Sequence, residues 1–287
     1  MPSLKNKVVL ISGGARGIGA ATAQAIVAAG GKVVLTDVDA EPLDKLAAEL
    51  GPDAALGIVA DVTDLSSMEA AVAAGVAKFG GIDVAVANAG IASYGSVLGV
   101  DPAVFKRLID ININGVFHTV RAALPSLIER KGYILVVSSL AAFAPAPGLA
   151  PYNASKAGVE HFANALRLEV HHHGVDVGVA HMSWIDTPLV QDAKADLRSF
   201  RELVESLPPP LNRTTSVDAC VKAFVKGIEN RKRRIYVPGW VGAIRNRRNL
   251  LASALGDRAT LKDVPRLLTL MDEEVRQLGR STSARNK

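Results

Sequence analysis

The stretch of sequence that decides the fold is Ser12–Gly19, which reads Ser-Gly-Gly-Ala-Arg-Gly-Ile-Gly. It ends a β-branched apolar run, residues 8–12, and precedes an Ala-rich stretch, residues 20–29, that predicts a helix. A turn from a strand into a helix needs the backbone freedom of glycine, and a pyrophosphate can approach only where side chains are absent. This setting favours a dinucleotide-binding loop. The alternative is a turn that only packs the helix tightly on the strand.

Short apolar runs alternate with amphipathic stretches along the rest of the chain. Continuous apolar strands in such an alternation are typical of a parallel sheet covered by helices on both faces. Strands are predicted at residues 8–12, 32–36, 56–60, 82–87, 133–137, 175–180 and 235–237, and the longest helices at about 102–130 and 151–172. The predicted fold class is α/β, a doubly wound seven-stranded parallel sheet in three layers.

The predicted sheet divides the chain into a domain, residues 1–238, and a C-terminal extension, residues 239–287. Residues 1–200 hold 15 Lys and Arg against 19 Asp and Glu, whereas residues 201–287 hold 18 against 9. The net charge of +5 therefore comes from the last third of the chain. Within the extension, residues 264–278 suggest a helix. Residues 188–214, with mixed charge and three consecutive prolines, are interpreted as a mobile lid.

Composition excludes several classes of protein. The single Cys220 excludes a disulfide framework and a cysteine-rich metal site, and it indicates a reducing compartment, the cytoplasm. No run of about 18 uncharged apolar residues predicts a membrane span, and the N-terminus has no signal-peptide core. His171–His173 are consecutive, so their side chains diverge on a helix, and no metal site is predicted.

Asp37, at the end of the second predicted strand, bears on the choice of dinucleotide. An acidic residue about 20 positions after the glycine loop can accept hydrogen bonds from the adenosine ribose and would repel a 2′-phosphate. This favours NAD over NADP. Arg16 argues for the opposite choice, because a cation in the loop can meet that phosphate. We give the carboxylate more weight, since burying an anion against a phosphate is costly.

The ends of the third and fourth strands carry further candidates for dinucleotide binding. Asp61 and Val62 lie where an adenine ring would be held, and the small residues of Asn88-Ala89-Gly90 allow the backbone to approach a cofactor. The alternative for each position is a cap or a plain turn.

Tyr152 and Lys156 are a candidate pair for chemistry; the alternative is that Tyr and Lys fall at this spacing by chance. Their spacing of four puts both side chains on one face of the predicted helix, where an ammonium can lower the pKa of the phenol. Such a phenol can exchange a proton with an alcohol or a ketone. Ser139 follows the fifth strand at the edge where ligands bind, and it could hydrogen-bond a substrate oxygen. Asn112 lies inside a predicted helix, where Asn is a poor helix former.

Taken together, these motifs resemble the classical short-chain dehydrogenase/reductase family. The matching residues are Gly13, Gly17-Ile18-Gly19, Asp61-Val62, Asn88-Ala89-Gly90, Asn112-Ile113-Asn114-Gly115, Ser138-Ser139 and Tyr152 with Lys156. The resemblance covers about residues 5–238 and implies a Rossmann fold and nicotinamide-dependent hydride transfer.

The resemblance also implies a role for each site residue. Tyr152 would be the general acid and base, Lys156 would bind the nicotinamide ribose, and Ser139 would polarise the substrate oxygen. Asn112 would hold a water that relays protons from Lys156. The expected cofactor-binding residues are Gly13, Ala15, Arg16, Gly17, Ile18, Gly19, Asp37, Asp61, Val62, Asn88, Ala89, Gly90, Tyr152, Lys156, Ile185 and Thr187. Homodimers or homotetramers are common in the family.

One segment departs from the family pattern. Ser183-Trp184 stands where the family usually has Pro-Gly, although Ile185 and Thr187 still match the positions expected beside the carboxamide. Trp184 is expected either to narrow the substrate pocket or to pack as a core aromatic residue. Residues 140–151 carry no charge and include Phe143, so they favour an apolar pocket wall. Ser139, Phe143, Tyr152 and Trp184 are the expected substrate-binding residues.

The leading hypothesis is an NAD(H)-dependent dehydrogenase or reductase for a lipophilic secondary alcohol or ketone. The alternatives are an NADPH-dependent 3-oxoacyl reductase and a dinucleotide-sensing module without turnover. The basic cluster at residues 231–234, with Arg245, Arg247 and Arg248, raises the alternative of docking to an anionic membrane surface, but a solvated surface is the simpler interpretation. No nucleic-acid partner is expected, because no base-reading element accompanies these charges.

Overall fold

The fold is built around the seven-stranded parallel sheet that the apolar runs predict. The computed structural model describes residues 3–251, 253 and 261–284. The strands are β1 (Val8–Ser12), β2 (Lys32–Asp37), β3 (Ala55–Val59), β4 (Val84–Ala87), β5 (Tyr133–Val137), β6 (Asp176–Met182) and β7 (Arg234–Val237). Their spatial order is β3-β2-β1-β4-β5-β6-β7, and every pair is parallel. The prediction of the fold class is confirmed.

Twelve helices among the described residues connect and cover the strands. They are α1 (Gly17–Ala28), α2 (Ala40–Leu50), α3 (Leu65–Phe79), α4 (Pro102–Ile109), α5 (Gly115–Glu129), α6 (Ala150–Glu169), α7 (Pro188–Asp196), α8 (Arg198–Ser206), α9 (Val217–Glu229), α10 (Val241–Asn246), α11 (Arg248–Leu251) and α12 (Val264–Leu278). None of these described helices is both long and apolar enough to cross a bilayer.

Apolar side chains cover the two faces of the sheet separately. One core packs α1, α2 and α9 on the sheet and includes Ile26, Leu43 and Phe224. The other packs α3, α5 and α6 and includes Val72, Val120 and Val159. Because strands in the middle of the sheet are buried on both sides, they are continuous apolar runs rather than alternating ones. This explains why the sequence reveals them so clearly.

The predicted helix at 102–130 is interrupted where the sequence places Asn112. A π-helical turn, Asp110–Asn114, separates α4 from α5. The extra residue of a π turn changes the direction of side chains locally, and such turns are frequent at functional sites. The long helix predicted at 151–172 ends at Glu169, and His171–His173 form an exposed 3₁₀ turn after it.

The strand order reverses between β1 and β4, and this reversal positions the site. The crossovers from β1 and from β4 leave in opposite directions along the sheet, so a crevice opens beyond the carboxyl ends of these strands. The glycine loop after β1 and Asn88-Ala89-Gly90 after β4 lie at this crevice. Strand ends that are far apart in the sequence are therefore brought together.

Candidate functional site

The glycine loop has the conformation that its residues predict. Gly13 and Gly17 have φ of +66° and +55°, in the left-handed region that favours glycine. A Cβ at Gly19 would lie 2.1 Å from the Gly13 carbonyl oxygen, so only glycine lets α1 pack this closely on the loop. Asn88 Nδ2 donates to the carbonyl oxygens of Ser12 and Gly13 at 3.0 and 2.9 Å and supports the loop from β4. The first amides of α1 therefore face the crevice, as a phosphate site requires.

Asp37 lines one end of the crevice and is held there by hydrogen bonds from the backbone. Its Oδ2 accepts from the Ala15 amide at 3.0 Å, and its Oδ1 accepts from the Asp39 amide at 3.2 Å. Ala15 thus takes part through its backbone amide, which donates to Asp37, rather than through its side chain. Arg16 forms an ion pair with Asp39, which had no role in the sequence interpretation. The cation that argued for NADP is therefore paired with a second carboxylate.

The crevice is a single continuous cleft of about 300 Å³. It runs from Asp37 to the Tyr152–Lys156 pair. The residues of the expected cofactor site that line it are Gly13, Arg16, Gly17, Ile18, Asp37, Asp61, Val62, Asn88, Ala89, Gly90, Tyr152, Lys156 and Thr187. Three expected residues do not line it, namely Ala15, Gly19 and Ile185; Ile185 is buried and pairs with Thr215.

Tyr152 and Lys156 lie on one face of α6, as their spacing predicts. The Lys156 Nζ lies 5.6 Å from the centre of the Tyr152 ring and donates to the Val137 carbonyl oxygen at 3.1 Å. Burial lowers the pKa of Lys156 to about 8. Burial also raises the pKa of Tyr152, while a hydrogen bond with Ser139 acts in the opposite direction. At neutral pH the phenol is therefore protonated and able to donate a proton.

Ser139 is held beside Tyr152 by the segment that follows β5. Its Oγ accepts from the Ala141 amide at 3.1 Å and lies 3.3 Å from the Met182 carbonyl oxygen, to which it donates. The neighbouring Ser138 is buried and donates to the Lys156 carbonyl oxygen at 2.8 Å. These bonds tie the ends of β5 and β6 to α6, so the two hydroxyls of Ser139 and Tyr152 stay together.

Asn112 is fully buried in the π turn, and its side chain is committed to the protein. Its Oδ1 accepts from the Ile91 amide at 2.8 Å, and its Nδ2 donates to the Ile91 carbonyl oxygen and to Ser155 Oγ at 2.9 and 3.0 Å. A Cβ at Gly90 would lie 3.2 Å from Asn112 Oδ1 and 3.4 Å from Lys156 Nζ. Asn112 therefore orders the loop after β4, in which Gly90 lies close to both Asn112 and Lys156.

The two expected aromatic wall residues differ in position. Trp184 packs edge-on against Phe200 with ring centres 5.4 Å apart, and its Nε1 donates to the Leu211 carbonyl oxygen at 2.9 Å. It shares an apolar cluster with Tyr152 but, like Ser139, it does not line the cleft. Phe143 is buried against His181, with ring centres 5.3 Å apart, and the structure does not bring it into the cleft.

Three residues of the site escape the sequence interpretation. Tyr94, after β4, is buried, and both its burial and the proximity of Tyr152 raise its pKa. Phe200 of α8 contacts Tyr94 with ring centres 5.5 Å apart. Ser283, near the C-terminus, lines the same cleft as Tyr152. No local pattern marks these residues, because each reaches the site only through tertiary packing.

The described residues contain no group of three His, Cys, Asp or Glu side chains that could hold a metal ion.

Part of the predicted basic surface forms ion pairs within the protein. Arg245 Nε and Arg234 Nη2 lie 3.3 and 3.8 Å from Glu160 Oε1, and Arg231 forms an ion pair with Asp176 at 3.0 Å. This use reduces the charge available to an external partner.

Comparisons with known proteins agree with this geometry. The profile of the short chain dehydrogenase family matches residues 7–198. The trans-4-hydroxycyclohexanecarboxylate dehydrogenase of Sinomonas cyclohexanicum is 37% identical over 66% of this chain and 76% of its own length. The 3-alpha-(or 20-beta)-hydroxysteroid dehydrogenase of Mycobacterium bovis is 36% identical over 68% and 75%. The 3-ketoacyl-(acyl-carrier-protein) reductase of Brucella melitensis, solved with NADH, has a TM-score of 0.73 at 31% identity, covering 82% of this chain and 98% of that one.

Proposed function

The chain belongs to the short-chain dehydrogenase family, and we propose that it transfers a hydride between NAD(H) and a secondary alcohol or ketone with an apolar body. One observation carries the proposal: the Ser139 hydroxyl lies close enough to the Tyr152 phenol to lower its pKa, and Tyr152 lines the cleft that begins at the glycine loop together with the buried Lys156. A carbonyl oxygen placed between the two hydroxyls would receive two hydrogen bonds.

The residues of the cleft fit a nicotinamide dinucleotide. The glycine loop and the start of α1 would hold the pyrophosphate, Asp37 the adenosine ribose, and Lys156 the nicotinamide ribose. The bound dinucleotide supplies or accepts the hydride. A bulky side chain would close this cradle, since a Cβ at Gly13 would lie 2.8 Å from the Ala89 Cα.

The chain's own residues handle the proton and the substrate oxygen. In the direction of reduction, Ser139 would turn its hydroxyl hydrogen from the Met182 carbonyl oxygen to the substrate carbonyl oxygen, and the protonated Tyr152 would give that oxygen a proton. In oxidation Tyr152 must accept that proton, and the positive charge of Lys156 favours its phenolate form. The proposed role of Asn112 in proton relay is only indirect, because its side chain is hydrogen-bonded to Ile91 and Ser155. Any relay water would be bound by other groups.

NAD is the proposed cofactor because of the charges at the end of β2. Two carboxylates, Asp37 and Asp39, lie at the adenosine end of the cleft, and one of them pairs with Arg16. A 2′-phosphate here would face the Asp37 carboxylate without a free cation from the loop. The Brucella reductase, which was solved with NADH, provides a relative that is consistent with this choice.

An apolar substrate body is proposed from the side chains beside Tyr152. Tyr94, Trp184, Leu149 and Phe200 form one apolar cluster that includes Tyr152. Pockets of this composition favour rings and chains over sugars. The Sinomonas and Mycobacterium relatives are named for a cyclohexane alcohol and a hydroxysteroid, both with the alcohol on a ring. We therefore place cyclic ketones first in the search for the substrate.

The test is a comparison of substrates and cofactors with purified protein. We expect the protein to oxidise NADH when it is given cyclic ketones such as cyclohexanone. The catalytic efficiency with NADH should be at least tenfold greater than the catalytic efficiency with NADPH. The second candidate is a 3-oxoacyl reductase, which the similarity to the Brucella reductase supports. A greater catalytic efficiency with NADPH than with NADH, and with an acetoacetyl thioester than with cyclic ketones, would favour it. Binding of NADH without turnover of any carbonyl compound would instead indicate a dinucleotide-sensing module.

A homodimer or homotetramer in the cytoplasm completes the proposal. Phe117 of α5 and Leu168 of α6 are 45% and 66% exposed, and Phe117 packs edge-on against Phe162 of α6 with ring centres 6.3 Å apart. Exposed aromatic and aliphatic side chains on neighbouring helices are typical of subunit contacts. Light scattering coupled to size-exclusion chromatography would measure the molar mass.

Residues 1–238 are proposed as the catalytic domain.

A further inference from the structure

The C-terminal helix α12 is docked on the substrate side of the molecule by polar contacts with three different segments. Asp272 Oδ1 accepts from the Ser96 amide at 2.7 Å in the loop after β4. Glu274 Oε2 accepts from Ser199 Oγ at 2.5 Å at the start of α8. Arg280 pairs with Asp196 at the end of α7 at 2.8 Å. The extension predicted from residue 239 onward is therefore, in its described part, attached to the proposed lid.

Apolar packing adds to these contacts. Leu267, Met271 and Val275 of α12 are buried, and Met271 belongs to the cluster that contains Phe200 and Tyr152. A Cβ at Gly148 would lie 2.6 Å from Met271 Sδ, so the segment before α6 packs directly on this helix. Burial of such apolar side chains stabilises the docked position of the helix. The helix is thus an integral part of the wall around the site.

The residues after α12 extend this wall into the cleft. The Ser281 carbonyl oxygen accepts from the Tyr94 amide at 2.8 Å. Ser281, Thr282 and Ser283 are 4%, 7% and 2% exposed, although they lie close to the end of the chain. Ser283 lines the cleft together with Tyr152, and the Tyr94 side chain is close enough to Tyr152 for the two to interact electrostatically. Two residues span at most about 7 Å, so Ser283 lies at the substrate end of the cleft rather than at the adenosine end.

The residues after α12 also include a side-chain hydroxyl that has no hydrogen-bond partner among the described residues. The Ser281 Oγ is buried and has no hydrogen-bond partner among the described residues. The Ser93 Oγ, next to Tyr94 in the sequence, is in the same state. Leaving a buried hydroxyl without a partner is unfavourable, and most buried polar groups in proteins are bonded to protein or to ordered water.

Resting on the proposed function, we propose that the tail 281–284 forms a wall of the substrate pocket and that Ser283 is a specificity-determining residue. The substrate would then combine an apolar body and a carbonyl group at Tyr152 with a second hydrogen-bonding group that reaches the tail. This assigns a role in substrate selection to a segment that lies beyond the family match, which ends at residue 198.

The experiment compares Ser283→Ala and Ser283→Leu with the unmodified chain, using NADH with cyclohexanone and with cyclohexane-1,4-dione. In Ser283→Ala we expect the ratio of kcat/KM for the dione over cyclohexanone to fall about fivefold, the worth of one neutral hydrogen bond. In Ser283→Leu we expect kcat/KM to fall at least tenfold for both ketones, because bulk enters the pocket. The Kd for NADH, measured by fluorescence, should change by less than threefold in both.

The control is Gln277→Leu, which adds apolar bulk on the exposed face of α12 and should leave both ketones unaffected. An unchanged ratio in Ser283→Ala together with an unchanged kcat/KM in Ser283→Leu would overturn the inference but not the proposed function. A loss that is explained by weaker NADH binding would also overturn it, since Ser283 would then contact the cofactor. Absence of turnover with every ketone in the unmodified chain would refute the proposed function and, with it, the inference.

Discussion

The Tyr152 phenol is the residue on which the proposed chemistry depends most directly. Burial raises its pKa and keeps it protonated at neutral pH, although the nearby Ser139 hydroxyl acts in the opposite direction. Tyr152→Phe removes the proton donor and leaves the ring in its apolar cluster. We expect kcat/KM for ketone reduction to fall by about 10²–10⁴-fold, the usual contribution of general acid catalysis, while the Kd for NADH changes little.

Tyr236→Phe is the matched control for this prediction. Tyr236 lies on β7, away from the cleft, and stacks on His181 with ring centres 5.7 Å apart. Loss of one phenol there should leave turnover within about twofold. Residual activity above a tenth of the original in Tyr152→Phe would contradict the role of Tyr152 as the acid.

Asp37 determines the charge that a cofactor meets at its adenosine end. In Asp37→Ser the carboxylate is removed, so a 2′-phosphate is no longer repelled. We expect the ratio of catalytic efficiencies with NADH over NADPH to fall at least tenfold. Asp39→Asn should shift the ratio in the same direction but less, because it releases Arg16 from its ion pair.

Asp44→Asn provides the control for overall charge, since Asp44 is exposed on α2 outside the cleft. Steady-state kinetics with both cofactors measure the ratio in each variant. An unchanged ratio in Asp37→Ser would mean that another group selects the cofactor.

At the scale of elements, α6 joins the catalytic pair to a buried charge cluster. Glu160 lies one turn beyond Lys156, and its carboxylate faces His181 on β6, Arg234 on β7 and Arg245 on α10. Burial tends to raise the pKa of Glu160, but His181 and the two guanidinium groups outweigh it and lower the pKa to about 2. Burial lowers the pKa of His181, so the imidazole is neutral near pH 7. The cluster therefore connects four elements behind the site.

This cluster makes stability depend on pH in a defined direction. The folded pKa of Glu160 lies below the ordinary value of 4.5, so its contribution is complete above about pH 4.5 and is lost as the pH falls toward 2. We expect Glu160→Gln to lower the free energy of unfolding by on the order of 2 kcal/mol at pH 7. The difference from the unmodified chain should shrink steadily between pH 4.5 and pH 2.5.

Urea unfolding followed by circular dichroism at several pH values measures this difference. Glu169→Gln, an exposed carboxylate at the end of the same helix, should change stability by less than about 0.5 kcal/mol at every pH. A difference for Glu160→Gln that stays constant as the pH falls would show that its charge contributes nothing.

The elements also show where a local pattern is sufficient and where it is not. The third strand, predicted at 56–60, lies at Ala55–Val59 on the edge of the sheet, because an apolar run indicates a strand even where it is only partly buried. The helix predicted at 102–130 contains a π turn instead, since the insertion is stabilised by contacts of Asn112 with Ile91 and Ser155. Those partners lie 21 and 43 residues away. The helical periodicity of the sequence therefore does not indicate these distant contacts.

At the scale of the whole molecule, Glu274 of α12 stabilises the start of α8, which precedes it by 75 and 76 residues. Glu274 accepts from the amides of Arg198 and Ser199 at 2.9 and 3.1 Å and so caps the first turn of α8 from another helix. A capping interaction of this kind contributes about 1 kcal/mol. In Glu274→Ala we expect the amides of residues 198–206 to exchange hydrogen about fivefold faster, measured by mass spectrometry.

Glu273→Ala is the control, because Glu273 is the neighbouring carboxylate and is exposed. Exchange in β4 and β5 should remain the same in both variants, since these strands lie in the core. Equal protection of α8 in Glu274→Ala and in the unmodified chain would refute the capping role.

The sequence by itself determined the parallel sheet, the glycine loop and the Tyr152–Lys156 pair. These features depend on near neighbours in the chain: strands are continuous apolar runs, left-handed turns need glycine, and a spacing of four places two side chains on one helical face. Only the tertiary structure decided that Arg16 pairs with Asp39, that Asn112 holds the loop after β4, and that Ser283 enters the cleft. Each of these contacts joins separate segments, so packing rather than local preference selects them.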